Sequence, residues 1–256
     1  NKALSYLSSA LQFQENMPQV YWQMSFIYGY NLLQQDSAEY YADKATTLVP
    51  SWQLPYAGLV FLYSDKIRNY SKAKFYLDKI NQIDSNSLVA HYSAGVYYET
   101  QGSFELATFH YKKALEIDST FIYAHSNLGN IYLNTGNLSE AESQYQRAIA
   151  LDASYPMAHG NFGIVYYLTN RMTQAEQSFK QALELEPKDP FFNYNIACFY
   201  YGQNEDVLAF QFLKKALEFG YNDYKGLQED PSLQTVRADT AKWNALMQQF
   251  FPDKNK

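Results

Sequence analysis

Three residue types recur at spacings that could support chemistry. Asn127, Asn161 and Asn195 stand 34 residues apart, as do His91, His125 and His159, and the single cysteine is Cys198. An asparagine amide offers a donor and an acceptor together, which is what a peptide bond needs on its N–H and C=O, so asparagines at a fixed step could read the backbone of an extended polypeptide. Histidines could hold a metal, and a thiol could act as a nucleophile. A shared metal fails on geometry. Ligand nitrogens sit about 2 Å from zinc, whereas equivalent residues one helical layer apart are separated by roughly 10 Å.

The rest of the sequence gathers no acid, base and electrophile. It contains no HExxH, no GxSxG, no Walker loop and no CxxC pair. Glu184, Glu186 and Asp189 read as a solvated face. No catalytic residue, metal or cofactor is therefore expected. The net charge of -6, with no Lys/Arg run longer than two, argues against nucleic acid and favours a basic or neutral partner. A lone Cys198 forms no internal disulfide and leaves the compartment open between cytoplasm, which is favoured, and periplasm or exterior. No apolar run approaches the roughly 18 residues that span a bilayer, so no membrane insertion is expected and the chain reads as soluble.

The elements that position these residues follow from a repeat. Gly95, Gly129 and Gly163 share the step of 34, with Ala197 in the fourth place; Tyr98, Tyr132, Tyr166 and Tyr200 keep it, as do Ala73, Ala107, Ala141, Ala175 and Ala209, and Ala114, Ala148, Ala182 and Ala216. Each unit reads as a helical hairpin. In the span 122–155, an apolar helical pattern leads to a turn at Thr135-Gly136-Asn137, then a second helical pattern, then a break near Asp152. The small residues let two helix axes approach to roughly 8 Å. The tyrosine three residues after each glycine is expected to fill the gap the glycine leaves.

On these residues the chain resembles the tetratricopeptide repeat family, whose pattern runs Leu-Gly, Tyr, Ala, an aromatic, Ala and often Pro. The best matches are Leu128-Gly129, Tyr132, Ala141, Tyr145 and Ala148, and Phe162-Gly163, Tyr166, Ala175, Phe179, Ala182 and Pro187. The resemblance implies an all-α, right-handed superhelical solenoid of helical hairpins with C-terminal capping helices. Full repeats are assigned to 88–121, 122–155, 156–189 and 190–220, a divergent one to 54–87 and a degenerate one to 18–53, which needs two extra residues. Ala3, Leu7 and Ala10 make 1–17 read as the second helix of a repeat begun further upstream, so a longer protein is expected. Residues 221–256 read as the capping helices. In 54–87, Phe61 falls in the glycine slot and Ser64 in the tyrosine slot, which reads as a decayed repeat or a hinge between binding surfaces.

In that family the first helix of each hairpin lines a concave groove. The resemblance places Asn127, Asn161 and Asn195 there as a ladder, one rung for roughly every third residue of a peptide advancing about 3.3 Å per residue. Asn130, Tyr92, Tyr123, Tyr167, Phe191, Tyr194 and Tyr201 are the neighbouring groove candidates, the aromatics as apolar anchors. The Lys/Arg clamp by which some members hold chaperone tails is missing, since those places hold Tyr92, Ser93, Ser126, Gly160, Phe191 and Tyr194. His91, His125 and His159 fall in a slot that packs inside the hairpin and read as core, while Cys198 reads as a small buried hydrophobe. The expected function is a scaffold binding an extended peptide or helix of a partner protein. Two alternatives stay open: a substrate-recruiting or regulatory region of a larger protease or transferase whose catalytic domain lies upstream, and a self-associating scaffold.

Overall fold

The computed structural model describes residues 2–254; Asn1, at the start of the 1–17 segment, and Asn255 and Lys256, at the end of 221–256, lie outside the described residues. Among the described residues every regular element is helical. The chain divides into two compact units, 1–127 and 128–256.

The first unit holds α1 (Lys2–Phe13), α2 (Pro18–Phe26) running on into a π-helical turn (Ile27–Asn31), α3 (Gln35–Leu48), α4 (Leu54–Phe61) with a second π-helical turn (Leu62–Lys66), α5 (Tyr70–Asp84), α6 (Leu88–Thr100), α7 (Phe104–Ile117) and the start of α8 (Ile122–Asn134). The second holds the rest of α8, then α9 (Leu138–Leu151), α10 (Pro156–Leu168), α11 (Met172–Leu185), α12 (Pro190–Gly202), α13 (Asp206–Glu218) and the short α14 (Tyr224–Glu229), α15 (Gln234–Ala238) and α16 (Thr240–Phe250). The fold is an all-α solenoid of helical hairpins. Leu227, Leu233, Val236, Trp243, Leu246 and Met247 of the last segment are buried in one core with Leu213, Ala216 and Leu217 of α13, so the closing helices cover the final hairpin.

Local chemistry fixes where the helices start and stop. The side chains of Asn69, Ser87 and Asp189 accept from backbone N–H groups that the first turns of α5, α6 and α12 leave unpaired. Each hairpin turn passes through one left-handed residue: Arg68, Gly102, Gly136, Asn170 and Asn204 occupy that place in turn, and Leu33 the corresponding place after α2. Glycine and asparagine tolerate it, whereas Leu33 and Arg68 hold it against the Cβ clash that costs roughly 1–2 kcal/mol.

Packing inside the hairpin corrects one expectation. The space beside each glycine is filled from the opposite helix: a methyl group on Gly129 would meet the Tyr145 ring at 2.6 Å, and one on Gly163 the Phe179 ring at 2.7 Å. Gly95 faces Tyr111 in the same way. The nearest atoms to such a methyl group belong to Tyr111, Tyr145 and Phe179 and not to Tyr98, Tyr132 or Tyr166. Tyr111 and Tyr145 are fully buried, and each is flanked by fully buried alanines four residues before and three after.

The π-helical turns explain the divergent unit. Asn69 N–H donates to the carbonyl of Tyr63, six residues back, whereas Ser103 and Asn137 donate to Tyr98 and Tyr132, five back. Tyr63 thus takes the tyrosine place that spacing gave to Ser64, and it is fully buried against Tyr76, ring centroids 5.9 Å apart. Three residues earlier, Val60 is the buried one, and Phe61 is released from the glycine slot.

Replacing Gly129 with Ala should destabilise the protein by about 1–3 kcal/mol, since the Tyr145 ring must shift within a closed core. Urea unfolding measures this; an unchanged midpoint would contradict the ring-on-glycine packing.

Candidate functional site

In the first unit an apolar cavity of about 510 Å³ opens between the first helices. Phe26 of α2, Leu54, Ala57 and Phe61 of α4, Leu88, Val89, Tyr92 and Ser93 of α6, and Phe121 and Tyr123 at the start of α8 line it. Phe61, Tyr92, Phe121 and Tyr123 form one cluster of rings. Tyr92 lies at the centre, edge-on to Phe61 at 5.6 Å and to Phe121 at 4.9 Å, and tilted 6.5 Å from Tyr123. Phe26 stacks on Tyr30 at 4.7 Å. Phe26 and Tyr123 each leave about half of their surface in water, 50% and 48%. Burial, then the charge of Asp65, raises the Tyr30 hydroxyl well above its ordinary value, so it stays protonated as a donor beside the groove. Large apolar side chains kept partly wet in a concavity are a poor arrangement for a free surface and a good one for a partner's apolar group.

Asn127 is not part of the lining but bonds to Tyr92, which is, and its amide is in use. Its Nδ2 donates to the hydroxyls of Tyr111, at 3.0 Å, and Tyr92, at 3.3 Å. The Tyr111 hydroxyl in turn donates to Glu99, whose carboxyl is raised by burial and pulled back by that bond. The chain from Tyr92 through Asn127 and Tyr111 to Glu99 fixes the central aromatic of the cavity.

In the second unit the Tyr145 hydroxyl donates to Asn130 Oδ1 at 2.7 Å, and Asn161 Nδ2 donates to the same oxygen at 2.7 Å. Asn195 is half-buried and its side chain makes no hydrogen bond to any described residue. One hairpin back, Phe179 stands in the place from which Tyr111 offers its hydroxyl to Asn127, and Ile164 in the place from which Asn130 offers its oxygen to Asn161, so neither acceptor is present for Asn195. Tyr167 packs edge-on to Phe199 at 6.0 Å, and Phe191 is 60% exposed beside Tyr221. Tyr194 and Tyr201 leave the groove set, being 9% and 4% exposed. Tyr194 stacks on Tyr221 at 4.2 Å and donates to Asp230, because the closing segment folds over this helix face.

The histidines serve the joints between hairpins. His125 Nε2 meets the Ser119 carbonyl at 3.2 Å and His159 Nε2 the Ala153 carbonyl at 2.9 Å. Of the three, His125 is buried and His91 and His159 are partly buried, so the core reading fits His125 best. His91 and His110 face each other, Nδ1 to Nδ1, at 3.1 Å. Among the described residues no three His, Cys, Asp or Glu side chains gather as a metal site. The Cys198 thiol is pushed up to about 12 by burial and then by the charge of Asp230, which suits packing and opposes nucleophilic attack.

Sequence spacing pointed to Tyr92 and Tyr123 but missed Phe26, Leu54, Phe61 and Phe121. Phe61 was visible as the misfit in the glycine slot; Leu54 keeps the step of 34 to Leu88 but opens its unit ahead of the groove places, and Phe26 sits in the irregular 18–53 unit.

Family models described as "Tetratricopeptide repeat" and "TPR repeat" match residues 126–190 and 96–136. Among solved structures, PilF of Pseudomonas aeruginosa aligns with TM-score 0.62 at 25% identity, over 78% of this chain and 92% of that one. MamA aligns with TM-score 0.50 at 26% identity, over 61% of this chain and 93% of that one. A chain of the APC/C hetero-tetramer Cut9–Hcn1 aligns with TM-score 0.74 at 16% identity, over 91% of this chain and 46% of that one, a likeness of fold alone. No curated protein sequence matches the chain. Residues 96–190 are tetratricopeptide repeats, and the chain has the fold of tetratricopeptide repeat solenoids. No helix of the described residues is long and apolar enough to cross a membrane.

Asn127→Ala should cost roughly 1–2 kcal/mol in urea unfolding, because it strips a partner from the part-buried Tyr111 hydroxyl. Asn195→Ala should leave the midpoint unchanged. Equal effects would refute the asymmetry between the two asparagines. Burial lowers both His91 and His110, with Lys113 adding to it at His91 against Glu116 and Asp84, and with His91 adding to it at His110. The unfolded chain therefore binds protons more readily, so this contribution to stability is complete above the unfolded value of about 6.5 and is lost as pH falls through the depressed folded values. His110→Gln should flatten the fall in Tm between about pH 7 and pH 5.

Proposed function

We propose that this chain is a protein-interaction scaffold whose first unit seats an apolar stretch of a partner polypeptide, extended or helical, against Phe61, Tyr92, Phe121 and Tyr123. The observation that carries this reading is the apolar cavity of about 510 Å³ with half-exposed aromatics at its rim. Rings of this kind contribute contact area while losing little side-chain freedom, which is why interface hot spots are rich in them. The net charge of -6 favours a basic or neutral partner. In the second unit Asn195, with its amide unengaged, is the asparagine suited to a partner's backbone, flanked by Tyr167 and Phe191. Asn127, Asn130 and Asn161 act instead by holding neighbours in place. Burial keeps the Cys198 thiol protonated, which opposes its use as a nucleophile.

Peptides selected from a phage-displayed random library on the immobilised chain should be rich in large apolar residues, and Phe61→Ala or Tyr123→Ala should weaken them at least about tenfold by fluorescence anisotropy. Tyr123 is half-exposed, so its variant should keep its stability within about 0.5 kcal/mol. Selected peptides that bind both variants with wild-type affinity would overturn the assignment of this groove.

A further inference from the structure

His91 on α6 shares its step of 34 with His125 and His159, but His110 on α7 is matched in the next two hairpins by Gln144 and Ser178. The α6–α7 hairpin therefore carries a histidine on each helix, where the following two carry one. The rings meet: Nδ1 faces Nδ1 at 3.1 Å, with the planes 39° apart, and both residues are partly exposed. Neighbours orient the pair. Asn86 Oδ1 lies 3.3 Å from His91 Nε2. An amide oxygen accepts, so that nitrogen carries the ring proton and Nδ1 turns its lone pair to His110. Tyr98 stacks on the His110 ring, centroids 5.5 Å and planes 13° apart. Lys113, whose charge bears on His91, is ion-paired to Glu116 at 2.6 Å.

We propose that His91 and His110 form a binding site for one divalent transition-metal ion of the zinc, nickel or copper class, clamped between the two helices of a single hairpin. Imidazole nitrogens sit about 2.0–2.1 Å from such an ion, so two of them 3.1 Å apart subtend about 100° at it. That angle lies between the right angle of square-planar or octahedral coordination and the tetrahedral one, and both rings reach one ion from where they stand. Nitrogen ligands suit these metals, whereas magnesium and calcium prefer oxygen. Among the described residues no third His, Cys, Asp or Glu joins the pair, so water fills the remaining positions. Without metal, His110 Nδ1–H donates to His91 Nδ1. On binding, that proton passes through water to His110 Nε2, each Nδ1 offers a lone pair to the ion, and no net proton is released. Burial holds both imidazoles toward the neutral form that a ligand must have. The ion ties α6, which also carries Tyr92 of the aromatic cavity, to α7.

The test is calorimetric titration of the untagged chain with Ni2+ and with Zn2+. One ion per chain is expected. Losing a ligand costs at least what losing an outer-shell partner does, so His91→Gln and His110→Gln should each weaken binding at least about tenfold, and His159→Gln should leave it within about twofold. A substitution in this hairpin could disturb the fold, so the wild-type protein supplies an independent arm: substoichiometric Ni2+, which is paramagnetic, should broaden the ring NMR signals of His91 and His110 before those of His125 and His159. Affinity retained by both variants, or no binding at millimolar metal, would overturn the proposal. Equal broadening at His159 would mark adventitious surface binding and refute it as well.

Discussion

A ring pressed against a residue that has no side chain sets the dimensions of these hairpins. Tyr145 over Gly129 and Phe179 over Gly163 leave no room for even a methyl group, so the two helices of a hairpin are held at a separation fixed by the thickness of an aromatic ring. The flanking alanines keep the rest of the interface equally close. Everything that faces the groove is therefore carried on first helices whose positions are determined from behind.

The same ring reaches forward into function. Buried by its body, a tyrosine in this place ends in a hydroxyl that must find a partner, and the asparagines supply it at Tyr111 and Tyr145. Phe179 keeps the ring over Gly163 but has no hydroxyl, Ile164 stands where Asn130 would offer its oxygen, and Asn195 is left with its amide unspent. Whether a groove asparagine is structural or available thus depends on the acceptors one hairpin back: the Tyr111 hydroxyl for Asn127 and the Asn130 oxygen for Asn161, places held for Asn195 by Phe179 and Ile164.

Much of the fold was legible because repetition multiplies weak signals: glycine, alanine and tyrosine registers at one period imply hairpins before any coordinate is known. The site was less legible. A period of 34 locates equivalent residues but is silent about which helix supplies the atom that fills a gap, so the ring over Gly129 was assigned to the wrong helix. Spacing also cannot see a backbone that changes its turn. The π-helical segment after Phe61 shifts Tyr63 into the place reserved for Ser64 and turns a seemingly decayed unit into a wall of the aromatic cavity. Tyr194 and Tyr201 were misread for a different reason: they obey the repeat, but a non-repeating segment covers them.

The left-handed turn residues carry a consequence for how the first unit yields under load. Where later turns use glycine or asparagine, Leu33 and Arg68 hold a backbone shape that their side chains resist. In a stack whose layers touch mainly their neighbours, that resistance stays local and is not averaged over the molecule. Drawn out from its amino end, such a chain would give way turn by turn with the weakest links leading, and the aromatic groove, walled by the same early helices, would be the first working surface to come apart.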